Sequence, residues 1–175
     1  ESAHFLTRKT DVVTPNGFDP RFVTVSQEFD KVRLKSRQKL LELASCLFHQ
    51  KFSKDSFLIA ASGRYEFRNK GFDVLIQSLH QLAERSSITE PVLVFLLIPA
   101  HHSGPNRELA TALKNESGEM NLLLPITHNL HGIDSDPILN SLKQTQFFQG
   151  SGSPIKVIFV PSYLNGDDGI LNLHY

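Results

Sequence analysis

The sequence predicts an α/β fold, and more narrowly one half of a doubly wound parallel sheet. Three short apolar runs are typical of buried strands, and they lie at residues 57–61, 92–98 and 155–160. Helical patterns separate these runs, so strand and helix alternate along the chain. Because helical crossovers join neighbouring parallel strands, we expect a three-stranded parallel sheet covered by helices.

The first 55 residues contain one short strand pattern and one long helical pattern. Residues 11–14 (DVVT) run into the turn signal PNG at residues 15–17. Thr24 and Gln27 form a capping box, so a long helix should follow. The basic stretch at residues 31–39 is interpreted as a solvated face of this helix and not as an anion site. The apolar side of the helix comprises Phe29, Val32, Leu40, Leu43, Leu47 and Phe48.

Three further helices are predicted between and after the strands. Asn106 could cap a short helix that extends to Leu113, and Asp136 followed by Pro137 is a strong N-cap and first-turn pair. The helix after the first apolar run has the clearest amphipathic pattern. Its apolar stripe comprises Phe72, Leu75, Ile76, Leu79, Leu82 and Ala83.

The composition excludes several classes of function. The chain has 175 residues, and its 18 Lys and Arg residues balance 18 Asp and Glu residues, so nothing favours binding to nucleic acid or a membrane surface. The longest apolar run, residues 92–100, is far too short to span a bilayer. Cys46, the single cysteine, rules out an internal disulfide and fits a reducing compartment. It lies within the long helical pattern, and we expect it to be a small buried apolar group.

A cationic loop follows the first apolar run and is the most informative stretch of the chain. Gly63 ends the run, Arg64 and Lys70 follow, and the amphipathic helix begins near Gly71. Such a unit places cations and free backbone N–H groups at the carboxyl end of a strand, where open α/β sheets usually bind phosphate. No glycine-rich fingerprint is present, so the cations would carry the phosphate charge. A solvated loop with unpaired charges is equally compatible with the pattern.

Six ordered motifs span nearly the whole chain. They are ESAHFL at residues 1–6, DVVTPNG at 11–17, RYEF with NKG at 64–71, THN at 127–129, DPILN at 136–140, and KVIF followed by Pro161 at 156–161. Together they resemble the glycogen synthases of the animal and fungal type. Members of that family are retaining glucosyltransferases with the two-domain GT-B fold.

The resemblance implies a domain organisation and a reaction. Residues 1–17 would be the end of the N-terminal domain and the inter-domain crossing, residues 18–55 a linker and long helix, and residues 56–175 the first half of the Rossmann-like, donor-binding C-terminal domain. The parent enzyme would transfer glucose from UDP-glucose to the 4-hydroxyl of an α-1,4-glucan with retention, in the cytoplasm. We expect the chain to be a fragment that is inactive by itself, because the acceptor-side domain and the paired-glutamate motif lie outside it.

The resemblance also implies roles for four residues. Arg64 and Lys70 match the catalytic cations that contact the donor diphosphate and stabilise the departing nucleoside diphosphate. Tyr163 and Tyr175 match aromatic positions that face the uridine, although core packing is an equally good interpretation of both. The family commonly has His and Glu beside Pro161, where this chain has Val160 and Ser162.

The remaining chemically active residues are interpreted as structural. We expect His128 and Asn129 to form a hydrogen-bonding pair, although their role in the family motif is open. His101 and His102 are expected to be an exposed loop pair, because no Cys or carboxylate cluster accompanies them. Glu66 is expected to pair with the nearby cations instead of acting as a general base. The sequence therefore predicts no metal site and no cofactor.

Two rival functions stay open at this point. One is a retaining glucosyltransferase that uses ADP-glucose, and the other is a non-catalytic module that binds an anion or nucleotide. The stretch between Ala100 and Ile126 is much shorter than in the eukaryotic proteins, which suggests a bacterial member. We also expect a homo-oligomer, because the missing half of the sheet would leave the strand at residues 57–61 with an open edge.

Overall fold

The computed structural model describes residues 4–5, 7–15, 17, 19–20, 27–85, 88–115, 124–145, 147 and 152–173. The chain divides into two compact units, Glu1–Arg33 and Leu34–Tyr175. Within the described residues, no helix has both the length and the apolar character needed to cross a membrane. The second unit contains the sheet and the cationic loop, and it is the part that bears on function.

Within the described residues, five strands and four helices have defined bounds. They are α1 (Gln27–Phe48), β1 (Phe57–Ser62), α2 (Phe72–Arg85), β2 (Val92–Leu97), β3 (His102–Pro105), α3 (Arg107–Asn115), β4 (His128–Leu130), α4 (Pro137–Lys143) and β5 (Ile155–Val160). The three strands expected from apolar runs are confirmed as β1, β2 and β5.

The described part of the first unit contains no β-strand. Val12 and Val13 are exposed, and Arg8 forms an ion pair with Asp11 at the surface. The strand predicted at residues 11–14 is therefore wrong. A strand is stabilised by hydrogen bonds to a partner strand, and no described residue provides one there.

The sheet of the second unit is parallel and has the order β1-β2-β5. Phe57 lies beside Val92, which in turn lies beside Ile155, and this register continues along all six residues of each strand. Sequential strands thus run outward from β1, which is the arrangement of one half of a doubly wound sheet. The predicted fold class is confirmed.

Helices cover both faces of the sheet. Strand β2 is buried from Leu93 onward, as expected for a continuous apolar run in a parallel sheet. Helices α2 and α4 form one apolar core with the sheet, comprising Phe72, Ile76, Leu79, Val94, Leu96, Ile138, Leu139, Leu142, Val157 and Phe159 among others. Helices α1 and α3 form the other, comprising Leu43, Ala44, Leu47, Leu93, Phe95, Leu97, Leu109, Ile158 and Val160 among others.

Two predicted apolar stripes are only partly buried. In α1 the residues from Leu43 onward contribute to the core, whereas Phe29 and Val32 are exposed, so the prediction is wrong for these two. In α2 the side chain of Leu82 is exposed as well. Periodicity marks these positions as one apolar face but does not show which of them a partner surface covers. The capping residue Thr24 lies outside the described residues.

Two of the three predicted helix caps, those of α3 and α4, are confirmed. The N–H of Leu109 donates to Asn106 Oδ1 over 3.1 Å at the start of α3. The N–H of Leu139 donates to Asp136 Oδ1 over 2.8 Å, and Pro137 occupies the first turn of α4. Each cap satisfies a backbone donor that has no partner within the helix.

A short antiparallel pair, β3 and β4, was not predicted. His102 lies opposite Leu130 and Pro105 lies opposite His128, with an irregularity between the two positions. The prediction that His101 and His102 form an exposed loop pair holds for His101 only. His102 is half-buried at the start of β3. The segment HSGP has neither alternation nor β-branched residues, so its sequence does not indicate a strand.

Strand β1 lies at the edge of the sheet. It pairs with β2 on one side, and among the described residues of the second unit no strand pairs with its other side. Phe57, at its start, is 64% exposed. Open apolar edges recruit other chains, because unpaired N–H and C=O groups template strand pairing.

We expect the 175-residue chain to self-associate, most simply as a two-fold dimer that pairs or covers the β1 edge. Light scattering at micromolar concentration should give about twice the mass of one chain. Replacement of the exposed Ala60 by Lys places a charge on the edge and should shift the equilibrium toward monomer. A parent chain that is monomeric in this experiment would show that the edge is not an association surface.

Candidate functional site

The carboxyl ends of the three parallel strands meet at one edge of the sheet, and the candidate site lies there. A pocket of about 300 Å³ is formed by the last residue of β1 and by residues that follow β1, β2 and β5. Its lining comprises Ser62, Gly63, Arg64, Tyr65, Pro99 and Tyr163. Two of the residues predicted to bind donor, Arg64 and Tyr163, are therefore brought together although 99 positions separate them in the sequence.

The Arg64 guanidinium is exposed and forms an ion pair with Glu66, with 3.1 Å between Nε and Oε1. This contact confirms the expectation that Glu66 pairs with a nearby cation. Exposed ion pairs contribute little to stability, so the guanidinium can exchange this partner for a stronger anion at small cost. Phosphate is such an anion, because arginine can donate two parallel hydrogen bonds to it.

Lys70 belongs to the same loop, and its side chain lies over Gly63 at the start of that loop. A Cβ atom added at Gly63 would lie 3.9 Å from Lys70 Cδ, so the lysine stem packs over this glycine of the pocket wall. The N–H of Lys70 donates to the Glu66 carbonyl oxygen over 2.8 Å, which closes the loop into a turn. Gly71 then adopts a φ of +71°, a conformation that favours glycine, and α2 begins at the next residue.

Tyr65, which sequence reasoning passed over, fastens this loop to a second element. Its hydroxyl donates to Asp136 Oδ2 over 2.5 Å, while Asp136 Oδ1 caps helix α4. Burial, followed by the hydrogen bond to the carboxylate, raises the pKa of Tyr65 well above its ordinary value. The phenol therefore stays a donor at physiological pH. No local pattern connects two residues that lie 71 positions apart.

Tyr163 is 67% exposed and lies at the mouth of the pocket. The interpretation of this residue as a core aromatic is therefore wrong, because its ring faces water. An exposed aromatic face beside a cationic loop is suited to stacking on a nucleobase. Tyr175 lies outside the described residues.

A second pocket of about 550 Å³ adjoins the first and shares Tyr65, Pro99 and Tyr163 with it. Its far wall contains His101 and His131, whose ring centroids are 4.5 Å apart. Among the described residues, no three His, Cys, Asp or Glu side chains come together in a group that could hold a metal ion. The two imidazole rings thus form one wall of this second pocket.

His128 is buried and fully hydrogen-bonded. Its Nε2–H donates to the Asp168 carbonyl oxygen over 2.9 Å, and its Nδ1 lies 2.8 Å from the Thr127 hydroxyl. The expectation that His128 forms hydrogen bonds is confirmed. Asn129 differs, because its side chain is exposed and its Nδ2 donates to the Pro105 carbonyl oxygen over a long 3.5 Å.

A larger pocket of about 730 Å³ lies away from the strand ends, between α1 and α3. Cys46 contributes to it and is half-buried, and burial raises the pKa of its thiol. The expectation that Cys46 is a small buried apolar group therefore holds only in part, and its raised pKa leaves less thiolate to act as a nucleophile. The carboxyl ends of the strands, the cationic loop and an exposed aromatic ring meet at the pocket of about 300 Å³. This convergence favours that pocket as the functional site.

Comparison with known proteins identifies the family. The family model described as glycogen synthase matches residues 1–121. The chain belongs to the glycogen synthase family. Three relatives align with the whole chain: glycogen [starch] synthase isoform 1 of Saccharomyces cerevisiae at 29% identity, glycogen [starch] synthase of Neurospora crassa at 28%, and the liver glycogen [starch] synthase of Mus musculus at 25%.

The chain spans about a third of the length of these glycogen synthases: 34%, 33% and 32% respectively. The alignment with the yeast protein extends over 241 residues, whereas the chain has 175, so the yeast protein carries additional residues within the aligned region. This difference agrees with the shortening inferred from the sequence. The location of the extra residues and the bacterial origin stay predictions.

Replacement of Tyr65 by Phe should lower the free energy of unfolding of the chain by about 1.5–3 kcal/mol, because it removes a hydrogen bond to a carboxylate. Chemical denaturation measures this difference. Replacement of Tyr163 by Phe is the matched control, since it removes an exposed hydroxyl. Coincident denaturation curves for the Tyr65 variant and the parent would contradict the assigned role of the hydrogen bond.

The stability of the chain should decrease as the pH falls below about 6.5. Burial lowers the pKa of both His128 and His102 below the ordinary imidazole value of 6.5, so the unfolded chain takes up protons more readily than the folded chain. The free energy of unfolding should therefore be highest above pH 6.5 and decrease as the pH falls below that value. Thermal unfolding between pH 5 and 8 tests this, and His128→Gln should flatten the slope. An unchanged slope in the variant would exclude His128 as a cause.

Proposed function

We propose that this chain is the donor-side part of a glycogen synthase of the retaining GT-B class. The whole enzyme would transfer glucose from UDP-glucose to the 4-hydroxyl of an α-1,4-glucan. Membership of the glycogen synthase family supports the reaction class, because the curated relatives that match are named as glycogen synthases. The cleft at the strand ends supports the assignment of the donor side to this chain.

One observation carries the proposal, namely that Arg64, the loop of Lys70 and Tyr163 converge at the carboxyl edge of a parallel sheet. A sugar nucleotide has a diphosphate and a planar base, and the cleft offers cations for the first and an aromatic face for the second. In open α/β sheets ligands bind in this position, outside the carboxyl ends of the strands. The arrangement thus fits a nucleoside diphosphate sugar.

Arg64 and Lys70 would contribute to catalysis by charge alone. When the glycosidic bond to the diphosphate breaks, negative charge develops on the leaving phosphate oxygens. Fixed cations stabilise that charge more strongly in the transition state than in the bound donor, and this difference accelerates the reaction. Neither cation has to transfer a proton.

Glu66 would orient the guanidinium before the donor arrives. Its carboxylate lies 3.1 Å from Arg64 Nε, which leaves the other guanidinium nitrogens able to donate to phosphate. The carboxylate is partly exposed and already paired, so we assign it no role as a general base.

The rest of the enzyme would supply the acceptor side. In this proposal residues 1–17 belong to the end of the N-terminal domain and the crossing, residues 18–55 form the linker and long helix, and residues 56–175 begin the donor-binding domain. A GT-B site forms between two domains, so the chain alone would be inactive. The enzyme would work in the cytoplasm, where sugar nucleotides and glucan are available, and as a homo-oligomer.

In the full-length enzyme, Arg64→Ala and Lys70→Ala should each lower kcat about 100- to 1000-fold, because each removes a charge contact made in the transition state. Steady-state kinetics at saturating UDP-glucose measures the effect. Near-normal turnover in both variants would refute the assignment of these cations.

Arg68→Ala is the matched control for these variants. Arg68 belongs to the same loop and is exposed, but it neither lines the pocket, as Arg64 does, nor packs over Gly63, as the Lys70 stem does. Its replacement removes an equal charge and should leave kcat close to the parent value.

Turnover with ADP-glucose in place of UDP-glucose tests the donor base separately, and a preference for ADP-glucose would overturn the assigned substrate while keeping the cation roles.

A further inference from the structure

The segment that carries Tyr163, residues 161–173, forms a closed loop after β5, here called the Tyr163 loop. Leu164 and Leu171 are buried in the core that α1 and α3 form with the sheet. Tyr163, which lies between β5 and Leu164 in the sequence, is exposed. The N–H of Gly166 donates to the Leu173 carbonyl oxygen over 2.9 Å and closes the loop. The position of the Tyr163 ring therefore depends on how the whole loop is held.

Asp168 organises the interior of the Tyr163 loop. Its carboxylate is buried and accepts hydrogen bonds from three successive backbone N–H groups, those of Ile170, Leu171 and Asn172, over 3.0, 2.8 and 2.7 Å. Gly169 adopts a φ of +80°, and a Cβ atom there would lie 2.9 Å from Pro105 Cγ. The loop is thus locked internally and packs closely against β3.

His128 connects this locked loop to strand β4. Its Nε2–H donates to the main-chain carbonyl oxygen of Asp168, the same residue whose side chain orders the loop. The ring is neutral in this arrangement, so its Nδ1 can accept from the Thr127 hydroxyl. A buried imidazole whose two nitrogens are both hydrogen-bonded is held in one orientation. The Tyr163 loop is therefore held in a fixed position relative to β4.

The cationic loop is held by different contacts. Tyr65 fastens it to Asp136 at the start of α4, through a hydrogen bond that involves neither His128 nor Asp168. From the α1 side, the Lys39 ammonium donates to the Leu171 carbonyl oxygen over 2.9 Å and so supports the Tyr163 loop only. The aromatic side and the phosphate side of the cleft therefore have separate supports.

We propose that His128 is a positioning residue for the nucleoside half of the donor. By holding Asp168 it keeps Tyr163 beside the pocket where a base can stack, and it leaves the phosphate contacts of Arg64 and Lys70 unaffected. This inference rests on the proposed function, because it takes a sugar nucleotide as the ligand of the cleft. It gives a role to Thr127 and His128 of the THN motif.

The test compares His128→Gln with His128→Asn in the full-length protein. The glutamine amide can reach the position of Nε2 and donate to the Asp168 carbonyl oxygen, whereas the shorter asparagine amide reaches only the position of Nδ1. We expect His128→Asn to weaken UDP binding about tenfold, which is the size of one base-stacking contact. His128→Gln should stay within about threefold of the parent, and inorganic pyrophosphate should bind all three proteins equally.

Gly169→Ala provides a second variant that disturbs the loop without changing the imidazole. Its Cβ would press on Pro105, so UDP binding should weaken while pyrophosphate binding persists. Thermal unfolding verifies that each variant is folded. The proposal is overturned if folded His128→Asn and Gly169→Ala bind UDP as tightly as the parent, or if they lose UDP and pyrophosphate equally.

The Arg64→Ala variant distinguishes a failure of this inference from a failure of the proposed function. If that variant keeps the full affinity for pyrophosphate, the proposed phosphate site is wrong. The role of His128 is still decided by the UDP affinities of the glutamine and asparagine variants. Full-length kinetics adds a further distinction, because loss of positioning should raise KM for the donor more than it lowers kcat, whereas partial unfolding would lower kcat alone.

Discussion

The burial of strand β2 between two neighbours and two helical layers is the constraint on which the rest of the structure depends. Its backbone pairs with β1 on one side and β5 on the other, in one continuous register. The three strand ends cannot slide past one another without breaking these hydrogen bonds and uncovering apolar side chains. The loops after β1 and β5 therefore start from fixed points, and Arg64 and Tyr163 reach the same pocket.

Polar and aromatic side chains around the cleft form two groups, one buried and one exposed. The cost of desolvation explains why the two groups have different roles. Tyr65 and His128 are at least half-buried and have hydrogen-bond partners, so they hold the loops in place. Arg64, Lys70 and Tyr163 are exposed, so they stay accessible to a ligand. A buried cation without a partner would destabilise the fold, whereas an exposed one keeps its hydration until an anion replaces the water.

Much of the fold was predictable because its signals are local. The three sheet strands, the cap of α4 by Asp136 and the pairing of Glu66 with a cation all follow from residues close together in the sequence. The β3–β4 pair was missed because four residues without alternation carry no strand signal. The exposure of Phe29 was also missed, since periodicity marks an apolar face without showing how far a partner surface extends.

The sequence by itself determined the order of the three sheet strands and the four helices, the family to which the chain belongs, and the presence of two cations in the loop after β1. Only the tertiary structure decided which distant residues meet. Tyr65 reaches Asp136 across 71 positions and His128 reaches Asp168 across 40, and Tyr163 faces water instead of the core. Periodicity and capping report contacts within a few residues, whereas these pairs depend on the strand order and the paths of the loops between strands.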